Sequence, residues 1–240
     1  MKEIDVEELI KGIALDKHTL STLRYLVNGS YIRVVNYHNT DPMDAERIEQ
    51  EIKAFSENYC SVSISDLDDF FLTHKWKKDK PGLIPAVFEG FRNQYDVMFP
   101  ILEKYNFRGW YYLPSYFMDI AVKEQLEYTK HHDLTVYHPE VYPDGRYAMT
   151  WDEVKKIAEH HEICCHSGHH FQIFRDTSEE DMQIEIVDAK KYLEEKIGRE
   201  VDVFCWLYGE EFSYNVRAQK YLYNAGYKYV LSNLKLEKIR

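Results

Sequence analysis

Basic residues are in short supply in this 240-residue chain: 30 Lys and Arg stand against 41 Asp and Glu, a formal net charge of −11. That balance argues against a nucleic-acid partner, which needs clustered cations, and against an anionic membrane surface. The one basic cluster, KWKKDK at residues 75–80, reads as a solvated loop. Long apolar runs are absent as well. The opening stretch MKEIDVEELIKGIALDKHTL is charged throughout, so neither a signal peptide nor membrane insertion is expected. As given, the chain is expected in the cytoplasm, or outside the cell if a leader has been removed. Cysteine is sparse: Cys60, Cys164, Cys165 and Cys205 show no paired spacing. Adjacent cysteines rarely bridge each other, so reduced thiols are expected. Repeats, low-complexity tracts and linkers are missing too. With this length, that points to a single domain over residues 1–240, with residues 1–30 as an N-terminal helical extension.

What is present is an ordinary globular balance, 45% hydrophobic and 30% charged, which gives no case for disorder. Twenty Tyr, 12 Phe and 4 Trp suit a sugar-binding cleft, and equally a core. Strand-like and helix-like segments alternate, the signature of a parallel α/β fold. Strands are predicted at 31–38, 82–88, 109–114, 162–166, 202–209 and 228–232. Helices are predicted at 44–58, 95–105, 151–161, after Thr177, and at 213–226. Pro100 predicts a late start or a kink in the second of these. Thr150 with Glu153 and Thr177 with Glu180 have capping-box spacing. Met182, Ile186, Ala189, Leu193 and Ile197 share one helical face, which Gly198 ends. Residues 133–146 read as a long loop. His38, Glu89, His166 and Tyr208 all fall at predicted strand ends, where sites assemble in such folds.

The densest chemistry is HHEICCHSGHHF, residues 160–171, with five histidines, two cysteines and a glutamate. His161 and Glu162 begin like the H-E-x-x-H zinc pattern. Position 165 is Cys, however, and the next histidine, His166, is one residue too far. His166 and His170 remain as a pair. A strand that ends at His166 and turns into one helical turn brings His170 to the same side. Two such imidazoles suit Zn²⁺ or a similar ion, or form a hydrogen-bonded pair at a surface turn. Cys164 shares strand parity with His166 and reads as a thiolate ligand or as a buried inert thiol. His160, His161 and His169 read as exposed or supporting groups. His131 and His132 end a helix, where cations suit the dipole.

From Tyr31 onward, the order of these segments resembles the polysaccharide deacetylases of carbohydrate esterase family 4. VVNYHNT is similar to that family's first strand. AVFEGFRNQYDVMFPILEKYNFRGWYYLP resembles its Thr-Phe-Asp-Asp-Gly segment with the following helix and strand. MTWDEVKKIAEHHEICCHSGHH matches the approach to its His-Ser-x-x-His element. VDVFCWLYGEEF resembles the Phe-Ala-Tyr-Pro-Tyr-Gly strand, and NAGYKYVLS the closing helix and strand. The resemblance implies a distorted (β/α) barrel and a hydrolase that removes acetyl groups from the C–N amide of acetamido sugars. It implies a carbohydrate partner and a divalent metal, zinc by family habit.

Carried over residue by residue, the resemblance implies Glu89, His166 and His170 as metal ligands, with Glu89 one methylene longer than the usual Asp. The general base corresponds to Phe88, which cannot accept a proton. No histidine follows His170, so the family's late catalytic histidine has no match. Cys205 stands where many members carry an arginine, and Leu207 replaces a proline. Tyr208 is kept, and its backbone N–H is implied in oxyanion binding. His38 is a candidate acid or base, or a structural histidine. Glu210 and Glu211 are near enough in sequence to reach the cleft, or to be solvated. The missing base leaves an alternative: a catalytically inactive pseudo-deacetylase that binds a glycan or other ligand in the former cleft, and the metal itself is an open expectation, present or absent.

Overall fold

The computed structural model describes residues 5–209, 216–233 and 235–240. Among them an eight-stranded sheet is built from β1 (Ile32–Tyr37), β2 (Cys60–Ser61), β3 (Gly82–Phe88), β4 (Trp110–Leu113), β5 (Glu162–Cys165), β6 (Val203–Cys205), β7 (Tyr229–Leu231) and β8 (Leu236–Lys238). The order is β1-β3-β4-β5-β6-β7-β8, with β2 also paired to β3. Every pairing is parallel except β7 with β8. This mixed α/β sheet is the expected distorted barrel, a curled half-barrel with β1 and β8 as its edges.

The helices are α1 (Val6–Leu9), α2 (Lys17–Val27), α3 (Ala45–Asn58), α4 (Ile64–Thr73), α5 (Phe99–Lys104), α6 (Val122–His131), α7 (Trp151–Ala158), α8 (Glu179–Met182), α9 (Ala189–Ile197) and α10 (Val216–Ala225). No described helix is long and apolar enough to cross a membrane. All four cysteines are free thiols.

Alternating side chains divide the interior in two. Ile84, Ala86, Phe88, Tyr112, Cys164, Val203 and Leu231 form an inner core on the concave face. Leu83, Val87, Tyr111, Ile163 and Phe204 pack outward against the helices. Burial on both faces is why β3 reads as a continuous apolar run. Pro85 survives mid-strand because of the register. Gly82 donates toward β1 and Glu89 toward β4, so an odd-numbered N–H faces the β2/β4 side. On that side β2 pairs only as far as Leu83 and β4 only from Ala86. Proline's missing donor falls in the gap.

Several local expectations change. Pro100 marks the expected late start: α5 begins at Phe99, after a π-helical stretch, Gln94–Met98, with Pro100 in its first turn. The Thr150–Glu153 capping box is present. The second cap shifts by one residue: Ser178 accepts from the Asp181 N–H, while Thr177 accepts from Phe174. A second π-helical stretch, Gln183–Asp188, links α8 to α9 and still buries Met182, Ile186, Ala189 and Leu193 on one face. Gly198 ends α9 at φ 72°. β2 and β8 were not expected; strands of two and three residues are too short for a periodic signal. The predicted start of α10, like Glu210 and Glu211, lies outside the described residues.

Candidate functional site

The C-terminal ends of β1, β3, β5 and β6 carry the site. Beyond the buried run of β3 the chain turns sharply, with Glu89 at φ 89° and Gly90 at φ 75°. Gln94 clamps this turn: its Oε1 accepts from the Gly90 N–H at 3.1 Å, and its Nε2 donates to the Phe88 and His38 carbonyls. Glu89 is thereby held against the cavity, where its Oε1 lies 3.1 Å from His38 Nδ1. Burial raises the Glu89 carboxyl above its usual range, against the opposing pull of His38.

Beyond β5, His166 is 3% exposed and His170 6%. Their ring centroids are 5.1 Å apart. His166 Nδ1 sits 3.0 Å from the Cys205 carbonyl and His170 Nδ1 2.7 Å from the His132 carbonyl. A carbonyl oxygen only accepts, so both Nδ1 atoms carry the proton and both Nε2 atoms keep a lone pair. Burial, with His170 nearby, holds His166 well below the usual imidazole range, and burial lowers His170 to about 4. Both rings are therefore neutral at pH 7.

The turn between them is rigid. Glu185, itself 5% exposed, accepts from the Gly168 and His169 N–H groups and from His169 Nδ1 at 2.7–2.9 Å. Ser167 Oγ accepts from the Phe171 N–H at 2.7 Å.

Phe88 fills the expected base position. Its ring stacks on Tyr112 (4.7 Å, 13°) and on His38 (4.9 Å, 14°), and meets His166 edge-on at 5.2 Å. One cavity of about 650 Å³ is lined by His38, Phe88, Glu89, His166, His170 and Tyr208, and by Asp133. Glu89, Asp133, His170 and Tyr208 all adopt positive φ, between 52° and 89°. Such strain in non-glycine residues persists where surroundings enforce it, typically at functional sites. The Tyr208 carbonyl accepts from Asn233, and its N–H has no hydrogen-bond partner among the described residues.

The structure thus brings together all six residues singled out from the sequence: His38, Phe88, Glu89, His166, His170 and Tyr208. It does not assemble the implied ligand set. No group of three His, Cys, Asp or Glu side chains among the described residues is disposed to hold a metal ion. The imidazole pair has the anchored tautomer that ligands need. The Glu89 carboxylate has His38 as its hydrogen-bond partner. Cys164 is fully buried in the inner core with its thiol pKa pushed far up by burial, an inert thiol. His160 pairs with Glu103 on the exterior. His161 is neither exposed nor near the site. It is 1% exposed, accepts from the Gly109 N–H, and faces Glu103 at 3.1 Å with an angle short of a hydrogen bond. Asp133, Gln94, Glu185 and the His132 carbonyl are the parts that sequence reasoning missed. Only FEGFRNQ carried a local hint, since Gln94 lies four residues beyond the turn it clamps.

A search of curated proteins finds no match. Among solved structures the chain is similar to the Streptococcus pyogenes deacetylase PplD in complex with acetate, at 14% identity, 82% of this chain, 80% of that one and TM-score 0.61. It is similar to a de-N-acetylase from Aggregatibacter actinomycetemcomitans at 18% identity, 87% and 88% coverage and TM-score 0.60. The deacetylase domain of BpsB from Bordetella bronchiseptica gives 12% identity, 84% and 87% coverage and TM-score 0.61. At these identities the likeness is one of fold. The sequence model of the polysaccharide deacetylase family matches residues 79–230, which run from β3 through β7 and carry Phe88, Glu89, His166, His170 and Tyr208. The chain therefore belongs to the polysaccharide deacetylase family, whose members are hydrolases of carbon–nitrogen bonds other than peptide bonds.

Proposed function

We propose that this chain removes the acetyl group from an acetamido sugar, with the His38–Glu89 pair in place of the missing base. The observation that supports this reading is the convergence of that pair, on one cavity, with two imidazoles anchored on backbone carbonyls. Amide hydrolysis needs a group to take a proton from water, a donor for the developing oxyanion, and a proton for the departing amine. His38 is half-exposed and oriented by Glu89 through Nδ1, which leaves Nε2 to take the water proton and return it to the amine. The Tyr208 N–H supplies the oxyanion contact. Phe88 holds the His38 ring flat by stacking. Members of the family generally depend on a metal; a divalent ion such as zinc would polarise the acyl carbonyl, and His166 and His170 are the residues that would hold it.

Acetate release from N-acetylated chito-oligosaccharides, with and without added zinc, tests the proposal. His38→Ala and His166→Ala should each lose ~10²-fold or more in kcat/KM. Turnover that survives both substitutions refutes it. A second reading, glycan binding without turnover, draws support from Phe88, whose two stacked partners and edge contact with His166 make it a plug where a base is expected. Tight oligosaccharide binding with no acetate released under any metal condition would favour that reading.

A further inference from the structure

The cavity does not end at the imidazoles. It continues between the two edges of the sheet, β1 and β8, which do not pair with each other. Ile32, Val34 and Asn36, alternate residues on one face of β1, line it below His38. From His38 down to Ile32 the strand covers six residues, about 20 Å. Phe70 and Phe71 of α4 and Trp76 form the facing wall, and Leu236 of β8 borders it. Ile32, Val34, Phe71, Trp76 and Leu236 all pack against the inner core yet stay only partly buried. Apolar side chains inside a barrel that remain open to solvent leave burial energy for a ligand to collect.

The wall is fixed before any ligand arrives. A Ser63–Asp66 capping box starts α4, Asp68 accepts from Tyr229 at 2.7 Å, and Lys78 bonds Asp66 at 2.6 Å. The charged lining groups, His38, Glu89, Asp133 and Lys235, sit at the ends of strands and in the turns beyond them. Along β1 below His38 come Asn36, then Val34 and Ile32, and the lining closes beyond them with Tyr31 and Ser30.

We propose that this inner arm holds the acyl chain of the substrate, and that the preferred substrate is an N-acyl amino sugar with an aliphatic acyl group longer than acetyl. The proposal rests on the hydrolase reading and specifies its substrate. An amide at the imidazoles has two sides. The sugar side is bulky, polar and continuous with a polymer, so it belongs at the open, charged mouth. The acyl side is left to point inward along β1, where the surface is apolar. Hydrolysis then adds water across the C–N bond, giving a fatty carboxylate in the arm and a free amine at the mouth.

The test uses the full chain with N-acetyl-, N-butyryl-, N-hexanoyl- and N-octanoyl-glucosamine. Binding is read by calorimetry and turnover by amine release. Each buried methylene contributes about fourfold in affinity, so hexanoyl should exceed acetyl by roughly tenfold or more in Kd and in kcat/KM. Val34→Trp on β1 and Leu236→Trp on β8 fill the arm from opposite walls. Each should erase the hexanoyl advantage and leave the acetyl rate unchanged, and having two keeps the test alive if one fails to fold. Equal or weaker binding of hexanoyl than acetyl overturns the proposal, and acetyl turnover would then leave the hydrolase reading standing. If no member of the series is hydrolysed, that reading falls, and the calorimetric series still decides the arm: a rise with chain length supports it, a flat series refutes it.

Discussion

Phe88 is the residue whose substitution separates packing from chemistry. Its ring is 3% exposed, lies between the rings of Tyr112 and His38, and touches His166. Truncation to Ala removes a buried phenyl and leaves a gap beside the cavity, a change that typically costs about 3–5 kcal/mol. For a chain of this size about 2–4 °C is lost per kcal/mol, so Phe88→Ala should melt roughly 6–20 °C below the parent. Phe88→Asp loses the same packing and adds a carboxylate beside Glu89, so it should be at least as unstable. It also restores a proton acceptor next to the imidazoles, and general-base catalysis is worth about 10²–10⁴ in rate. The two variants are equally hollowed and differ in chemistry, so their ratio isolates the base. Acetate release below both melting temperatures, with circular dichroism to confirm folding, should show Phe88→Asp at least ~100-fold faster than Phe88→Ala. Folded Phe88→Asp with no advantage over Phe88→Ala would refute the assignment of this position to the base. A loss under ~1 kcal/mol for Phe88→Ala would refute the packing argument.

Three further outcomes follow from the geometry. Glu185→Ala strands the buried Gly168 N–H and removes the partner of the part-buried His169 N–H and Nδ1, and should cost about 1–3 kcal/mol in urea unfolding; a loss below ~1 kcal/mol contradicts the role given to that carboxylate. Gly168→Ala places a Cβ 2.6 Å from Tyr116 Cε2 and 3.0 Å from Glu185 Oε2, so about 1–3 kcal/mol should go, with weaker activity as the His166–His170 turn shifts; a thermal melt and an acetate assay read both, and an unchanged melting temperature refutes the clash. His161 has its pKa lowered by burial to about 4, against ~6.5 for the unfolded chain. Above pH 6.5 both states are neutral and stability is full; between 6.5 and 4 only the unfolded state takes the proton, so stability falls with pH, and the difference stops growing below 4. Urea unfolding from pH 7.5 to 5 should show that slope, to which buried His166 and His170 add, and His161→Gln should make it shallower; equal slopes refute the linkage.

The parts of this protein legible in its sequence are the ones encoded locally. β3, β4 and β5 announce themselves as apolar runs, α9 by its buried face and Gly198, and α7 by the Thr150–Glu153 pair. The site residues were legible as positions for the same reason: they follow strand ends, and strand ends are where such a barrel gathers its side chains. What the sequence withheld are the partners. His170 is fixed by a carbonyl 38 residues away, His166 by one 39 away, and the turn between them by a carboxylate 16 or 17 away. No periodicity or spacing rule connects such pairs, because they meet only when the sheet curls. Glu89 shows how this affects function. Read along the chain, Glu for Asp is a conservative change at a ligand position, longer by one methylene. In space the carboxylate meets His38, which lies 51 residues earlier and at the end of the neighbouring strand. The hydrogen-bond partner of this carboxylate is therefore a histidine outside the His166–His170 pair. Chemistry read along the chain names the group, and the curl of the sheet selects its partner.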